Sequence, residues 1–279
     1  MRPREVNPFR TGWTSTVDTE PVLEPMLPPQ LVAALEGVRS VGAITGAGIS
    51  AESGVPTYRG VGGIYDDPEE GQRTVEALSG PTLLGDPDRT WRAVAALARY
   101  TIDAQPNAAH HAIARMEQAL GEVVVLTQNV DGLHRQAGSR NVIDIHGDVL
   151  ATRCVSCDVR TRLTRAELAA LDATPPCPEC DSHLRPDAVL FEEMLDPRKV
   201  LRLEDAFYRD PPDLVLVVGT SAMFPYIAEP VYVAARGGRI TVEVNPEPTP
   251  LTDVVSVSLR GSAGHYVPLI AAALGADTD

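Results

Sequence analysis

A short apolar run, Val41-Gly42-Ala43-Ile44-Thr45, leads directly into Gly46-Ala47-Gly48-Ile49-Ser50-Ala51-Glu52-Ser53-Gly54-Val55-Pro56-Thr57-Tyr58-Arg59. The run reads as a buried strand, and its continuation fits G-x-G-x-x-A, the turn of dinucleotide-binding α/β units. In such turns glycine lets the backbone approach a pyrophosphate, while a helix N-terminus supplies N–H donors and positive potential. A dehydrogenase of this class would continue with a helix, a second strand and an acidic residue about 20 positions on. Here Gly54, Pro56, Gly60, Gly62 and Gly63 end any helix early and predict a long loop through Arg59. The segment implies a nucleotide site but not hydride transfer.

Further β-type runs follow at Val123–Leu126, Asn141–Ile145, Leu214–Val218, Ile240–Val244 and Val254–Val257. Near-continuous β-branched runs suit a parallel sheet covered on both faces. Segments 106–119, 131–137, 225–236 and 264–274 have helical length or spacing, with Pro106 at one start and Gly237-Gly238 at one stop. The alternation predicts a doubly wound α/β fold with a parallel sheet. Two stretches interrupt it: 60–105, glycine-rich and then helical from Arg89 to Thr101, and 151–190, which holds all four cysteines. They are expected to form a second, smaller module inserted into the larger domain. Residues 1–30, polar and proline-rich without an apolar signal core, read as a loose N-terminal extension.

Composition narrows the partners. A net charge of −14 argues against a sequence-independent grip on nucleic acid. It suits a basic substrate such as a lysine-rich protein segment, although solubility alone also accounts for it. No window of 18 continuous apolar residues exists, so no membrane span is expected. A cytoplasmic setting is the default.

The cysteines carry the sharpest local signal. Cys154-x2-Cys157 and Cys177-x2-Cys180 have the spacing of a four-thiolate zinc site, each knuckle bringing two thiolates to one side of a metal. Redox dithiols are the alternative reading. Four protein thiolates leave no open coordination position, so the zinc is expected to be structural, with His183 spare.

Other candidates sit at strand ends, where open α/β sheets bind ligands. Gln128, Asn129 and Asp131 follow one strand; Asn129 and Asp131 suit a carboxamide or a developing positive charge, and a plain turn with Asp131 as helix cap is the bland alternative. His146 follows the next strand and is placed to act as a general base near neutral pH. Gly219-Thr220-Ser221 and Asn245-Pro246-Glu247 end two more strands, individually ordinary turn chemistry. His110 and His111 read as packing or capping residues, and His134 and His265 carry no assigned role.

In this order, GAGISAESGVPTYRG, TQNVDGLH, IHG, the paired knuckles, GTS and VNPE resemble the sirtuin family of NAD-dependent protein lysine deacylases, in its bacterial form, across roughly 31–274. The resemblance implies a large Rossmann-type domain with a parallel sheet over 31–59, 106–150 and 191–279, and a small domain over 60–105 and 151–190 made of a helical module and a zinc ribbon. It also implies a mechanism. NAD would lie along Gly46, Ala47, Gly48, Ile49, Ser50 and the loop through Arg59, with Gln128, Asn129 and Asp131 around nicotinamide and its ribose. Gly219, Thr220, Ser221, Asn245 and Ala263 would line the diphosphate and adenosine end. The acyl oxygen of an acyl-lysine protein substrate attacks the ribose and expels nicotinamide. His146, as general base on a ribose hydroxyl, then drives the passage to free lysine and O-acyl-ADP-ribose. The segment Val189-Leu190-Phe191 would flank the acyl-lysine channel.

Departures bear on the acyl group. Thr57-Tyr58 stand where many members have Asp-Phe, resembling the branch that holds acidic acyl groups with a Tyr-x-x-Arg pair. That pair falls here at Arg92 and Ala95 and is absent as such. Glu192 in Phe191-Glu192-Glu193, where the family usually has glycine, adds a carboxylate near the peptide groove. Neutral acyl groups, acetyl first, are the expectation. Mono-ADP-ribosyl transfer or NAD hydrolysis on the same fold is the alternative, since expulsion of nicotinamide is common to all of them; an NAD-sensing module is a third, opposed by Asn129, Asp131 and His146.

Overall fold

The computed structural model describes residues 26–57 and 67–276; Tyr58, Arg59, Gly60, Gly62 and Gly63, together with 1–25, lie outside the described residues. Its strands are β1 (Ser40–Thr45), β2 (Glu122–Thr127), β3 (Val142–Asp144), β4 (Gly147–Cys154), β5 (Arg160–Arg162), β6 (Leu184–Ala188), β7 (Leu214–Val218), β8 (Ile240–Val244) and β9 (Val257–Leu259). Six of them form one sheet in the order β3-β2-β1-β7-β8-β9, with every neighbouring pair parallel. This is the doubly wound order, and its direction reverses between β1 and β7.

The apolar runs explain why the sheet is sandwiched. All five residues of β7 are buried, and they alternate between two cores. Leu214, Leu216 and Val218 join Val41, Ala43, Val123 and Val125 under the helices Pro29–Leu35, Ala108–Leu120 and Ala263–Ala273. Val215 and Val217 join Ile44, Val124 and Leu126 on the opposite face, against the helices Pro197–Glu204 and Pro225–Arg236. Strands covered on both faces hold few polar residues, and the two in β8, Thr241 and Glu243, are fully buried and hydrogen-bonded to Ser256 and to Thr249, Thr252 and Ser258.

Register then places the site. Asp144, Thr127, Thr45, Val218, Val244 and Leu259 pair in one row across all six strands. Gly46, Gln128, Gly219 and Asn245, each next in sequence after its strand's row residue, therefore leave the sheet together at one carboxyl edge. That edge lies at the switch point, where a crevice opens in folds of this order.

Helix boundaries follow local chemistry. Asn107 caps Ala108–Leu120 in a reciprocal capping box with His110, which gives His110 the capping role expected of it. Pro225 opens Pro225–Arg236, and Gly237 and Gly238 (φ 71°) close it. One strand expectation is corrected. The final strand is Val257–Leu259 rather than Val254–Val257, because residues 251–254 form a turn in which the N–H groups of Val254 and Val255 bond to Leu251 O.

The cysteine segment contains more regular structure than its sequence announces. β4 pairs antiparallel with both β5 and β6. Trp91, Val94 and Ala98 of the helix Pro87–Tyr100 pack with Leu150, Leu168, Leu184, Cys154 and Cys177, so helical segment and cysteine sheet share one small core. The Trp91 indole N–H donates to Leu184 O at 3.0 Å and pins the two together.

Candidate active site

The first wall of the crevice is made by two turns in backbone contact. Gly46 leaves β1 extended and leads into a 3₁₀ segment, Ala47–Ser53, that Gly54 ends in the left-handed conformation (φ 81°). This tighter, shorter element stands where a dehydrogenase would have an α-helix, in keeping with the early helix end read from Gly54 and Pro56. Gly48 N–H donates to Gly219 O at 2.8 Å. A Cβ on Gly48 would stand 2.7 Å from Gly219 Cα, and one on Gly219 would stand 2.4 Å from Ile49 N. The glycines therefore join the β1 turn to the β7 turn as much as they make room for a ligand.

The second wall is the segment after β2. Gln128 donates from Nε2 to Thr220 Oγ1 at 2.7 Å, tying it to the β7 turn. Asn129 spends both amide hydrogens inward, on Gly46 O and Ser50 Oγ, each at 3.1 Å. What remains for a ligand is its side-chain carbonyl, an acceptor suited to a hydroxyl or a developing positive charge. Ser50 Oγ donates to Asp131 Oδ2 at 2.8 Å, and Asp131 Oδ1 accepts from Leu133 N–H at 2.9 Å. Asp131 thus caps the following turn and holds Ser50 at once. Burial raises its pKa, against the lowering effect of these hydrogen bonds.

Two histidines lie behind this layer. His110 Nε2 stands 3.5 Å from Ser50 Oγ, and His134 Nε2 bonds Thr45 Oγ1 at 2.9 Å. Their rings meet edge to face at 4.9 Å. Burial holds His110 down to about 4 and His134 well below its ordinary value, so both are neutral.

His146 follows β3, two residues past Asp144, at the same edge. Its Nδ1 is 2.9 Å from Gln128 O and its Nε2 is 2.7 Å from the Tyr226 hydroxyl. A carbonyl only accepts, so Nδ1 carries the proton and Nε2 presents the lone pair. Burial lowers the imidazole's pKa, with Lys199 adding to the effect and the Gln128 bond opposing it. The group is a neutral base aimed from β3 across the β2 segment.

Asn245 donates from Nδ2 to Thr220 O at 3.0 Å, bringing the β8 end into the same network. Ser221 is exposed on the β7 turn. Ala263 begins the helix Ala263–Ala273, where Glu52 accepts from Gly264 N–H (2.6 Å) and Ser262 Oγ (3.1 Å), linking that helix to the first turn. Of the predicted site residues, Arg59 alone falls outside the described residues. Glu52 and Tyr226 join the crevice without having been singled out in the sequence. Tyr226 lies only five residues past Ser221, but no pattern marks it.

The crevice suits a dinucleotide by its donor set: backbone turns, hydroxyls and amides, gathered at the switch point. The cysteines suit zinc. Cys154–Cys180 and Cys157–Cys177 Sγ atoms lie 3.6 Å apart and Cys157–Cys180 3.7 Å, with all four within 4.8 Å of one another. Four sulfurs tetrahedral at about 2.3 Å from a metal would be about 3.8 Å apart.

Known proteins share this arrangement. The Sir2 family model matches residues 46–225. NAD-dependent protein deacylase 2 of Pseudomonas aeruginosa is 44% identical over 243 residues, 85% of this chain and 93% of that protein. A solved Sir2 homologue–NAD complex superposes with a TM-score of 0.78 at 35% identity, covering 89% of this chain and 94% of that one. A Sir2–p53 peptide–NAD+ structure does so with a TM-score of 0.72 at 28% identity, covering 87% and 96%. The chain belongs to the Sir2 family.

Proposed function

We propose that this chain removes acyl groups, acetyl first, from lysine side chains of proteins in an NAD-dependent reaction that yields nicotinamide and O-acyl-ADP-ribose. The relatives named NAD-dependent protein deacylases and the peptide-bound Sir2 structure support this reading. The observation that carries it is His146: a neutral imidazole, fixed in one tautomer by Gln128 O, at the edge where the dinucleotide turn also ends.

Bound NAD supplies an activated ribosyl carbon with nicotinamide as leaving group, toward which the acyl oxygen of the substrate lysine acts as nucleophile. The chain's residues do the rest. The β1 and β7 turns, with Thr220 and Asn245, would hold the phosphate and adenosine end, and Gln128 would stand with Asn129 on the nicotinamide side. Asn129 offers its carbonyl, and Asp131 keeps Ser50 and the Asn129 amide in place. His146 takes the proton of a ribose hydroxyl at Nε2, and the charge that forms on the ring is shared with Gln128 O through Nδ1–H. Removing a well-placed general base lowers turnover by about 10²–10⁴-fold.

The zinc has a scaffolding role in this reading, since four thiolates leave it no open position. Four thiols gathered at metal-binding rather than disulfide distance also favour a reducing, cytoplasmic setting. For the acyl group, Ala95 is fully buried and Arg92 lies exposed on the helix Pro87–Tyr100, so neither supplies an acid-binding pair, which favours neutral acyl chains.

The test is mass spectrometry of the purified protein with NAD and a panel of acyl-lysine peptides. O-acyl-ADP-ribose formed together with free lysine supports the reading. Nicotinamide release without deacylation would move the assignment to ADP-ribosyl transfer or NAD hydrolysis. His146→Ala should lower peptide deacylation by about 10²–10⁴-fold while sparing the fold.

A further inference from the structure

The Nε2 lone pair that the base needs is already in use. Nδ1–H is committed to Gln128 O, so the neutral ring has a single acceptor site, and the Tyr226 hydroxyl donates to it at 2.7 Å. One in-plane lone pair cannot accept from a phenol and a ribose hydroxyl together. We infer that Tyr226 is a positioning residue that stands in for the ribose hydroxyl: in the substrate-free enzyme its O–H holds and occupies Nε2 of His146, and substrate displaces it. The inference rests on the reading of His146 as the general base.

The surroundings fit a placeholder that moves by side-chain rotation. Tyr226 lies in the first turn of Pro225–Arg236, whose start is set by Pro225, so its backbone is fixed. Its ring stacks on Phe224 at 5.3 Å and 14°, and both rings stand edge-on to His146 at 6.0 Å. Phe224 is 46% exposed and Tyr226 is half-buried against the core of that sheet face, so the pair has solvent on one side only. Burial pushes the Tyr226 phenol up to about 12, so it keeps its proton and donates throughout the neutral range. Among the described residues the charged group acting on His146 is Lys199, which is itself engaged by Asp144 through its backbone carbonyl (2.6 Å) and carboxylate (2.9 Å). Lys199 and Asp144 are untouched by a change at Tyr226.

The test is Tyr226→Phe, which keeps the ring stack and removes only the hydroxyl. A hydrogen bond to the neutral imidazole favours the neutral form, and a typical net bond is worth roughly fivefold in an equilibrium. In the substrate-free variant the His146 resonance, followed by NMR, should titrate at a pH higher by somewhat less than one unit. The acid limb of kcat/KM, which reports the free enzyme, should move up with it. The acid limb of kcat, which reports the complex after the phenol has left, should stay in place. KM for NAD should fall about fivefold, because binding no longer displaces the hydroxyl. Coincident His146 titrations in the two proteins would overturn the inference, and so would equal movement of both acid limbs, which would mean the phenol stays on the base during turnover. A His146→Ala enzyme that deacylates at an undiminished rate would instead remove the base itself, and the role of Tyr226 with it.

Discussion

The crevice and the cysteine module solve the same problem, holding polar groups in a fixed geometry, by different means. At the crevice, six strand ends lie in one row, and the side chains beyond them bond chiefly to one another's loops: Asn129 to Gly46, Gln128 to Thr220, Asn245 to Thr220. Rigidity is borrowed from a sheet buried on both faces. The cysteine module has short antiparallel strands of mixed burial, and two of its four thiols, Cys154 and Cys177, belong to its apolar core. There the metal ligands are part of the core. A site on a large sheet can therefore lose a polar contact and keep its fold, whereas a small module held by a metal cannot lose a ligand and keep its own.

The largest effect should come from breaking the module. Structural zinc sites in small peptides contribute an apparent ~10–16 kcal/mol, so removal of one ligand should unfold this part rather than loosen it. Cys154→Ala should lose zinc, measured by elemental analysis, and should lose the cooperative unfolding of the module while far-UV signal from the parallel sheet persists. Full zinc content with unchanged melting would contradict the contrast drawn above.

A smaller effect should separate the crevice by pH. His110, His134 and His146 are all held below the ordinary histidine value of 6.5, His110 to about 4, chiefly by burial. The unfolded chain takes up protons as pH falls through 6.5 and the native chain does not, so stability falls with acid across the window from 6.5 down to about 4. For His110 this amounts to about 2 kcal/mol by pH 5. Asp131, whose value is raised by burial, acts with the opposite sign. Urea unfolding at pH 7, 6 and 5 should give this slope, and His110→Gln should make it shallower by about one proton's worth. An unchanged slope in His110→Gln would show that this imidazole is not held neutral.

The smallest effect lies at the junction of the two regions. Phe191 pairs with Ser79, Glu193 makes a two-pronged bond to Arg185, and exposed Glu192 between them adopts φ 67°. A non-glycine residue there costs about 1 kcal/mol, so Glu192→Gly should raise the melting temperature by a few degrees. A lower melting temperature would mean that the carboxylate makes a contact worth more than the strain.

Much of this was legible. The runs at 41–45, 123–126 and 214–218 are strands because a doubly covered sheet demands near-continuous apolar residues, a demand visible in one dimension; 240–244 alternates instead, its Thr241 and Glu243 buried and hydrogen-bonded. The cysteine knuckles were legible because metal geometry fixes a short spacing. β5 and β6 were not: they include Arg160, Thr161, Arg162, Arg185 and Pro186, residues without alternation, and are strands because β4 lies between them. The last edge strand was misplaced by three residues, since a run of valines does not say where a turn intervenes. Tyr226 was invisible because its partner His146 is 80 residues away.

By itself the sequence determined the α/β class, the dinucleotide turn, the four metal-binding thiols and the strand-end residues that carry the family resemblance. These are local patterns, set by periodicity, glycine and ligand spacing. Only the tertiary structure decided that Gly48 and Gly219 serve each other, that Asp131 braces Ser50, that His146 carries its proton on Nδ1, and that a tyrosine hydroxyl lies on its free nitrogen. Those depend on the register of six strands and the placement of one helix, which bring together groups that chain order keeps apart.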